Sequence, residues 1–205
     1  MKTELLKWFR QLKSISQYGL TYTKDAYDRE RFEAVAAVAS EIATHLTEAP
    51  LDAVAASLKL EAGPPTPKLD VRAAVFRGEA ILLVRETADG LWSLPGGWMD
   101  IDESPARAAE RETKEESGYD CRATKLIALW DRNRHPHPPM LLHVYKAFFL
   151  CELTGGEAKL SQETTDVGFF SLDDLPPLST PRVLRAQIEC AFRHRAQPDL
   201  ATEFD

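Results

Sequence analysis

GWMDIDESPARAAERETKEESGY, residues 97–119, sets Glu112, Glu115 and Glu116 within five residues of one another, in a segment that carries its own start and stop signals. Ser104 has the side chain of a good N-cap, Pro105 suits the first helical position, and Gly118 suits the left-handed residue that ends a helix. The spacing predicts a helix over 105–117, about 20 Å long at ~1.5 Å per residue. At ~100° per residue the three glutamates share a sector of about 100°, with Glu110 on the other side as a solvated charge. Like charges three and four residues apart cost a few tenths of a kcal/mol per pair. Arg107, Arg111 and Lys114 offset part of that cost through i,i+4 pairs such as Glu110–Lys114, but they do not account for the clustering. Divalent cations do. Oxygen ligands with no Cys or His nearby select Mg²⁺, or Mn²⁺ in its place, and Mg²⁺ commonly bridges one or two carboxylates to substrate phosphates.

The rest of the chain bounds what such a site can serve. The sequence has 205 residues, 44% apolar and 28% charged, the composition of a core-forming protein. Its net charge of −7 argues against a general nucleic-acid surface, which needs excess Lys and Arg, but is compatible with a phosphorylated small molecule held through cations. Cys121, Cys151 and Cys190 are far apart and form no CxxC pair, so they indicate neither a zinc site nor a disulfide framework. MKTELLKWFRQLKSISQ carries charges through its apolar positions, which is not the pattern of a signal peptide. No run is apolar enough to span a membrane, and a cytoplasmic protein is expected.

Two regions follow from the periodicities. Residues 2–17 and 22–46 carry apolar residues at helical spacing, separated by an expected turn at Tyr18–Gly19, with Asp25 or Asp28 as the cap of the second helix. A short helix is expected over 51–60. Gly63, Pro64, Pro65 and Pro67 then mark a linker. We divide the chain into an all-α N-terminal domain (1–62), a Pro-rich linker (63–69), a larger domain (70–198) and a frayed tail (199–205). In the larger domain VRAAVF and AILLVRE read as a hairpin, ATKLIALWD, LLHVYKAFFLCEL and VGFFSL as further strands, and Pro181–Arg195 as a last helix. Strands packed with two helices make an α/β (α+β) sandwich. The first 60 residues are too few to bury much core, so their stripes pack on the larger domain or on a second copy of the chain.

Gly97, Glu103, Arg111–Glu112, Glu115–Glu116 and Gly118 resemble the Nudix hydrolase signature G-x5-E-x7-R-E-U-x-E-E-x-G-U, in which U is bulky and apolar. Seven such residues would align by chance in roughly one chain in a million, so composition does not explain the match. Thr113 and Tyr119 depart from the usual aliphatic residues at the U positions, and both can pack inward. The resemblance implies an α/β/α sandwich around a mixed sheet, and hydrolysis of a diphosphate linked to another moiety, X. It implies that Glu112, Glu115 and Glu116 hold two or three Mg²⁺ ions, with the backbone carbonyl of Gly96 as a further ligand. It implies too that Arg111 orients a metal-binding carboxylate, that Glu103 braces the loop into the helix, and that Gly96 and Gly97 let this loop turn tightly. A general base is needed, and Glu163 in LSQETTDVGFF is the candidate, an exposed loop carboxylate being the competing reading.

The flanking segments narrow the resemblance. YGLTYTKDAYDRERF in the helical region, with HVYKAFFLCELTGGE and VGFFSLDDLPPLS, resembles a bacterial Nudix subgroup described as acting on X-linked nucleoside diphosphates, CDP-choline and ADP-ribose among them. Candidate substrate readers are Trp92 and Trp98, which flank the glycine loop and can stack on a base. Arg72 and Arg85 on the hairpin face either phosphate or solvent. Arg132 belongs to the basic loop DRNRHPHPP, residues 131–139, which can guide a diphosphate; its His135 and His137 lack a third metal ligand. The expected reaction yields a nucleoside monophosphate and phospho-X, in a homodimer joined through the N-terminal helices. Alternatives are hydrolysis of RNA 5′ ends or nucleoside triphosphates, and a nucleotide sensor that has lost catalysis.

Overall fold

The computed structural model describes residues 2–47 and 63–205. The helix expected over 51–60 lies outside the described residues. The chain divides into two units, residues 1–67 with 139–143, and residues 68–138 with 144–205. The sequence reading had put residues 139–143 in the larger domain.

In the first unit α1 (Lys2–Tyr22) and α2 (Ala26–Thr47) pack around Leu6, Phe9, Ala39 and Ala43. Asp25 caps α2, its Oδ1 accepting from the Asp28 N–H at 2.9 Å. The turn expected at Tyr18–Gly19 is absent; α1 runs through it. A Cβ on Gly19 would lie 2.3 Å from the ring of Phe32, so this glycine permits close packing between the two helices rather than reversing the chain. Arg10 donates to the carbonyls of Met140, Leu141 and Leu142, which fastens residues 139–143 to this unit.

The second unit is built on a mixed sheet. Its strands are β1 (Lys68–Arg77), β2 (Ala80–Glu86), β3 (Trp92–Ser93), β4 (Tyr119–Asp131), β5 (Val144–Gly156), β6 (Thr164–Phe170) and β7 (Glu203–Phe204). The order is β3-β2-β1-β5-β4-β7, with β6 also paired to β2. β1 and β5 run parallel, whereas β4 pairs antiparallel with β5. Alternation along β1 sends Val71, Ala73 and Val75 to one face, against α3 (Pro105–Ser117), and Ala74 to the other, against α4 (Arg185–Ala196). The result is a helix–sheet–helix sandwich with one core on each side of the sheet.

Three boundaries differ from expectation. β1 begins inside the predicted linker, where Lys68 pairs with Val144. The last helix starts at Arg185 rather than Pro181, because the Ser179 carbonyl takes the N–H groups of Arg182 and Val183 in a preceding turn. The tail is not frayed: β7 pairs parallel with β4, and Lys125 Nζ donates to the carbonyls of Pro198 and Leu200.

Candidate functional site

Helix α3 spans the predicted residues because its caps are local. Ser104 Oγ accepts from the Arg107 N–H at 3.4 Å, and Gly118, at φ 79°, returns its N–H to the Lys114 carbonyl. Thr113 and Tyr119 turn inward as the spacing requires; Tyr119 meets Phe169 edge to face at 5.4 Å. Glu110 is not the solvated charge expected, since its Oε1 accepts from the Ala123 N–H at 2.9 Å. Lys114 pairs with Asp120 and with the Gly118 carbonyl rather than with Glu110.

The glycine loop lies along the edge of β1 that β2 leaves open. Ala73 and Val71 donate to the carbonyls of Pro95 and Gly97, on either side of Gly96. Gly96 turns its own N–H to Glu116 Oε2 at 2.9 Å. Its φ of 141° and the 2.0 Å that would separate a Cβ from the Val71 carbonyl oxygen exclude any side chain there. A Cβ on Gly97 would press on the Glu112 carboxylate at 3.1–3.3 Å. These two glycines therefore let the loop lie directly against the acidic face of α3.

Arg111 gathers the carboxylates. Its guanidinium donates to Glu103 at 3.0 Å, to Glu112 at 3.0 Å and to Glu115 at 2.8 Å. These bonds hold Arg111 firmly protonated, the contact with Glu103 contributing most. The same contact holds the Glu103 carboxyl below its ordinary range. Glu116 is nearly enclosed, at 5% exposure. Burial drives its carboxyl up to about 8, against the opposing pull of Arg72 and the Gly96 N–H, with Glu86 and Glu112 adding repulsion. Glu112 is raised as well, again chiefly by burial. Two neighbouring carboxyls thus resist ionisation chiefly because they are buried, and their donors are hard oxygens. That set fits a divalent cation such as Mg²⁺.

A further carboxylate, Glu86, went unnoticed in the sequence. It is buried at the end of β2, pairs with Arg182 at 3.0 Å, and is raised by burial, with Glu163 adding to the repulsion it feels. At the charged end of an otherwise apolar strand it carries no local signal; the sheet alone brings it within reach of Glu116. Glu163 is exposed on the loop before β6. Its carbonyl accepts from Thr87 at 2.8 Å, and the adjacent Thr164 hydroxyl donates to the Glu116 carbonyl at 2.7 Å, which ties this loop to the end of α3. A cavity of about 850 Å³ opens beside Glu115, lined by Lys114, Gly118, Glu157, Lys159 and Ser161.

The proposed substrate readers are scattered. Trp98 is exposed at the glycine loop, whereas Trp92 is half-buried against the core and packs edge to face on Phe170 at 4.8 Å. Arg85 is exposed and donates to the Gly90 carbonyl. Arg72 faces neither solvent nor an open cleft. It is buried, bound through two donors to Asp70, with further bonds to Ser93 and Leu94. Lys146 meets Asp70 from β5, where the register sets the two residues opposite each other. Burial opposes ionisation of Asp70, but Arg72 and Lys146 outweigh it and hold the carboxyl low. Lys146 itself is pushed down to about 8 by burial. Arg132 is likewise buried and reaches the Pro181 carbonyl. His137 is fixed between the Thr180 carbonyl and the Gln187 amide, and burial lowers it to about 4, so it stays neutral.

Among the described residues no helix is long and apolar enough to cross a membrane. Residues 66–188 match the model of the NUDIX domain, and residues 3–58 that of the UDP-X-like, N-terminal oligomerisation domain. The chain is 42% identical, along 100% of its length and 99% of the other's, to the Bacillus subtilis protein YjhB, provisionally named an ADP-ribose pyrophosphatase. The crystal structure of an ADP-ribose pyrophosphatase from Streptococcus suis matches 68% of this chain and 100% of its own, with 45% identity and a TM-score of 0.64. That of a UDP-X diphosphatase matches 100% of this chain and 99% of its own, with 33% identity and a TM-score of 0.64. With Glu103, Glu112 and Glu115 drawn together by Arg111 and Glu116 bonded to the glycine loop, these likenesses lead to one conclusion: the chain belongs to the Nudix hydrolase family.

Proposed function

We propose that this protein is a Mg²⁺-dependent pyrophosphohydrolase that takes a nucleoside diphosphate linked to X, of the ADP-ribose or UDP-X type, and water to a nucleoside monophosphate and phospho-X. The observation that carries this reading is the set of α3 glutamates beside the glycine loop, Glu112 and Glu115 held by Arg111 and Glu116 by the Gly96 N–H. Glu112, Glu115 and Glu116 would hold the cation, with the Gly96 carbonyl as a candidate further ligand. Mg²⁺ bound there supplies neutralisation of the diphosphate charge and a lowered pKa for coordinated water. The chain's own contribution is positioning. Arg111 keeps Glu112 and Glu115 at fixed orientation through Glu103, and the Gly96 N–H does the same for Glu116. Glu163, on the loop tied to α3 by Thr164, is our candidate to accept the proton of the attacking water. Trp98 is exposed at the loop and suited to stack on the base.

The likeness to both an ADP-ribose pyrophosphatase and a UDP-X diphosphatase supports the substrate class and leaves base and X open between them, CDP-choline included. A panel of ADP-ribose, UDP-sugars, CDP-choline, NADH, nucleoside triphosphates and a 5′-triphosphate RNA, resolved by chromatography with and without Mg²⁺, decides. Release of one nucleoside monophosphate, only with metal, is the expected result; pyrophosphate release from triphosphates alone overturns the substrate class.

We propose further that the chain forms a homodimer through α1 and α2. Trp8, Ile15, Tyr18, Tyr22 and Val38 are exposed on these helices, and Trp8, Leu12, Ile15 and Ile42 line an apolar concavity. Light scattering at a mass twice that of the chain is expected; a monomer at all concentrations overturns the assignment.

A further inference from the structure

On the far side of the sandwich from α3, helix α4 carries Cys190 and His194 one turn apart, hence on one face. The C-terminal segment returns over that face. Glu203 on β7 sits opposite Ala128 of β4, and Thr202 secures the approach by donating to the Leu126 carbonyl at 2.7 Å. Glu203 Oε1 lies 3.4 Å from Cys190 Sγ and 3.5 Å from His194 Nε2. The three ligand atoms all fall within 4.8 Å of one another.

Two observations set this cluster apart from an ordinary polar contact. His194 is fully buried, yet neither ring nitrogen has a hydrogen-bond partner among the described residues. Native proteins rarely leave buried polar groups in that condition. The spacing is also that of a coordination shell. Bonds of ~2.3 Å to sulfur and ~2.0–2.1 Å to nitrogen and oxygen, at a tetrahedral angle, set ligand atoms about 3.3–3.6 Å apart. The separations of Glu203 Oε1 from Cys190 Sγ and His194 Nε2, 3.4 and 3.5 Å, lie in that range.

We infer that Cys190, His194 and Glu203 form a second metal site, for Zn²⁺, that staples the C-terminal strand to α4. A thiolate, an imidazole and a carboxylate are the donor set of a borderline-soft cation and not of Mg²⁺, so the two sites sort their metals by chemistry. Arg193 donates to Glu203 Oε1 at 2.7 Å, which holds the carboxylate in place from outside. C-x3-H within one helix was readable in the sequence, but the third ligand lies nine residues beyond His194 and is delivered by β7.

The test uses the full-length protein with excess Mg²⁺ present. Co²⁺ titration is expected to give a thiolate-to-cobalt charge-transfer band saturating at one ion per chain, and Zn²⁺ to abolish it by displacement. Cys190→Ser should remove the band, whereas Cys121→Ser and Glu116→Gln should keep it. Glu203→Gln, at the half-exposed edge of the cluster, should weaken Zn²⁺ binding tenfold or more in competition with a chromophoric chelator, and so serves if Cys190→Ser does not fold. No band with the wild-type chain, or a band that survives Cys190→Ser, overturns the inference. Neither result bears on hydrolysis, which depends on the carboxylates of α3.

Discussion

The acidic helix and the buried basic cluster behind it hold charges of opposite sign, yet only one of them could be read from the sequence. On α3, residues three and four apart are neighbours by construction, and the caps that start and stop the helix lie within two residues of its ends. The carboxylate face therefore follows from spacing alone. Arg72 and Lys146 are different. Their partner, Asp70, is two residues from one and 76 from the other, and nothing but the parallel β1–β5 register brings the three together. An arginine on a hairpin looks the same in sequence whether it meets phosphate or a buried aspartate. The first region holds more carboxyl groups than its one arginine pairs; the second pairs its two cations with a buried aspartate.

That contrast can be broken most strongly at Glu116. Glu116→Gln should lower turnover by about 10²–10⁴-fold and leave the fold intact, because the amide keeps the shape and loses the charge. Activity near wild type would remove Glu116 from the site. Asp70→Asn should do the reverse, a loss of stability of ~3–5 kcal/mol in urea titrations with two buried cations left short of a carboxylate. A stable Asp70→Asn variant with a raised KM would mean that Arg72 and Lys146 face substrate after all. Glu103→Gln loosens Arg111 without touching the cluster itself, and should cost about 10–100-fold in kcat with little change in Tm.

Titration sharpens the comparison further. Folded Glu116 keeps its proton up to about pH 8, whereas the unfolded chain releases it near 4.5. Its contribution to stability is thus full below about 4.5 and is lost as pH rises towards 8, and Glu112 and Glu86, also raised, act in the same direction. His137 has the opposite sign: lowered from 6.5 to about 4, it contributes fully above 6.5 and its contribution is lost as pH falls through 4. Melting temperatures of the chelated protein should fall between pH 5 and 8, and Glu116→Gln should flatten that slope. An equally steep slope in the variant would place the titration elsewhere. The smallest effect on stability belongs to Trp98→Ala, within about 0.5 kcal/mol, with KM raised about tenfold if the ring stacks on the base. Trp92→Ala should instead lose about 1–3 kcal/mol, since its half-buried ring packs on Phe170.

The pattern of what was legible follows the same division. Strands packed with two helices, the all-α region before them, and both boundaries of α3 come from periodicity and capping, whereas the mixed sheet was implied by the resemblance to the Nudix family. Glu86 is placed by strand pairing, the Glu110 contact by the packing of α3 on β4, and Arg132 by the turn after β4 that brings it to Pro181. Gly19 was misread because a glycine at a helix crossing and a glycine in a turn are the same letter. The tail was read as frayed because its two-residue strand exists only beside β4.

The most direct test of the central claim is the rate of nucleoside monophosphate release, from whichever substrate of the panel is cleaved, as Mg²⁺ is titrated into the metal-free protein. The account predicts no turnover in chelator, a saturable rise with Mg²⁺, and a curve shifted to higher Mg²⁺ in Glu112→Gln. Full turnover in chelator, or an unshifted curve in that variant, would contradict it.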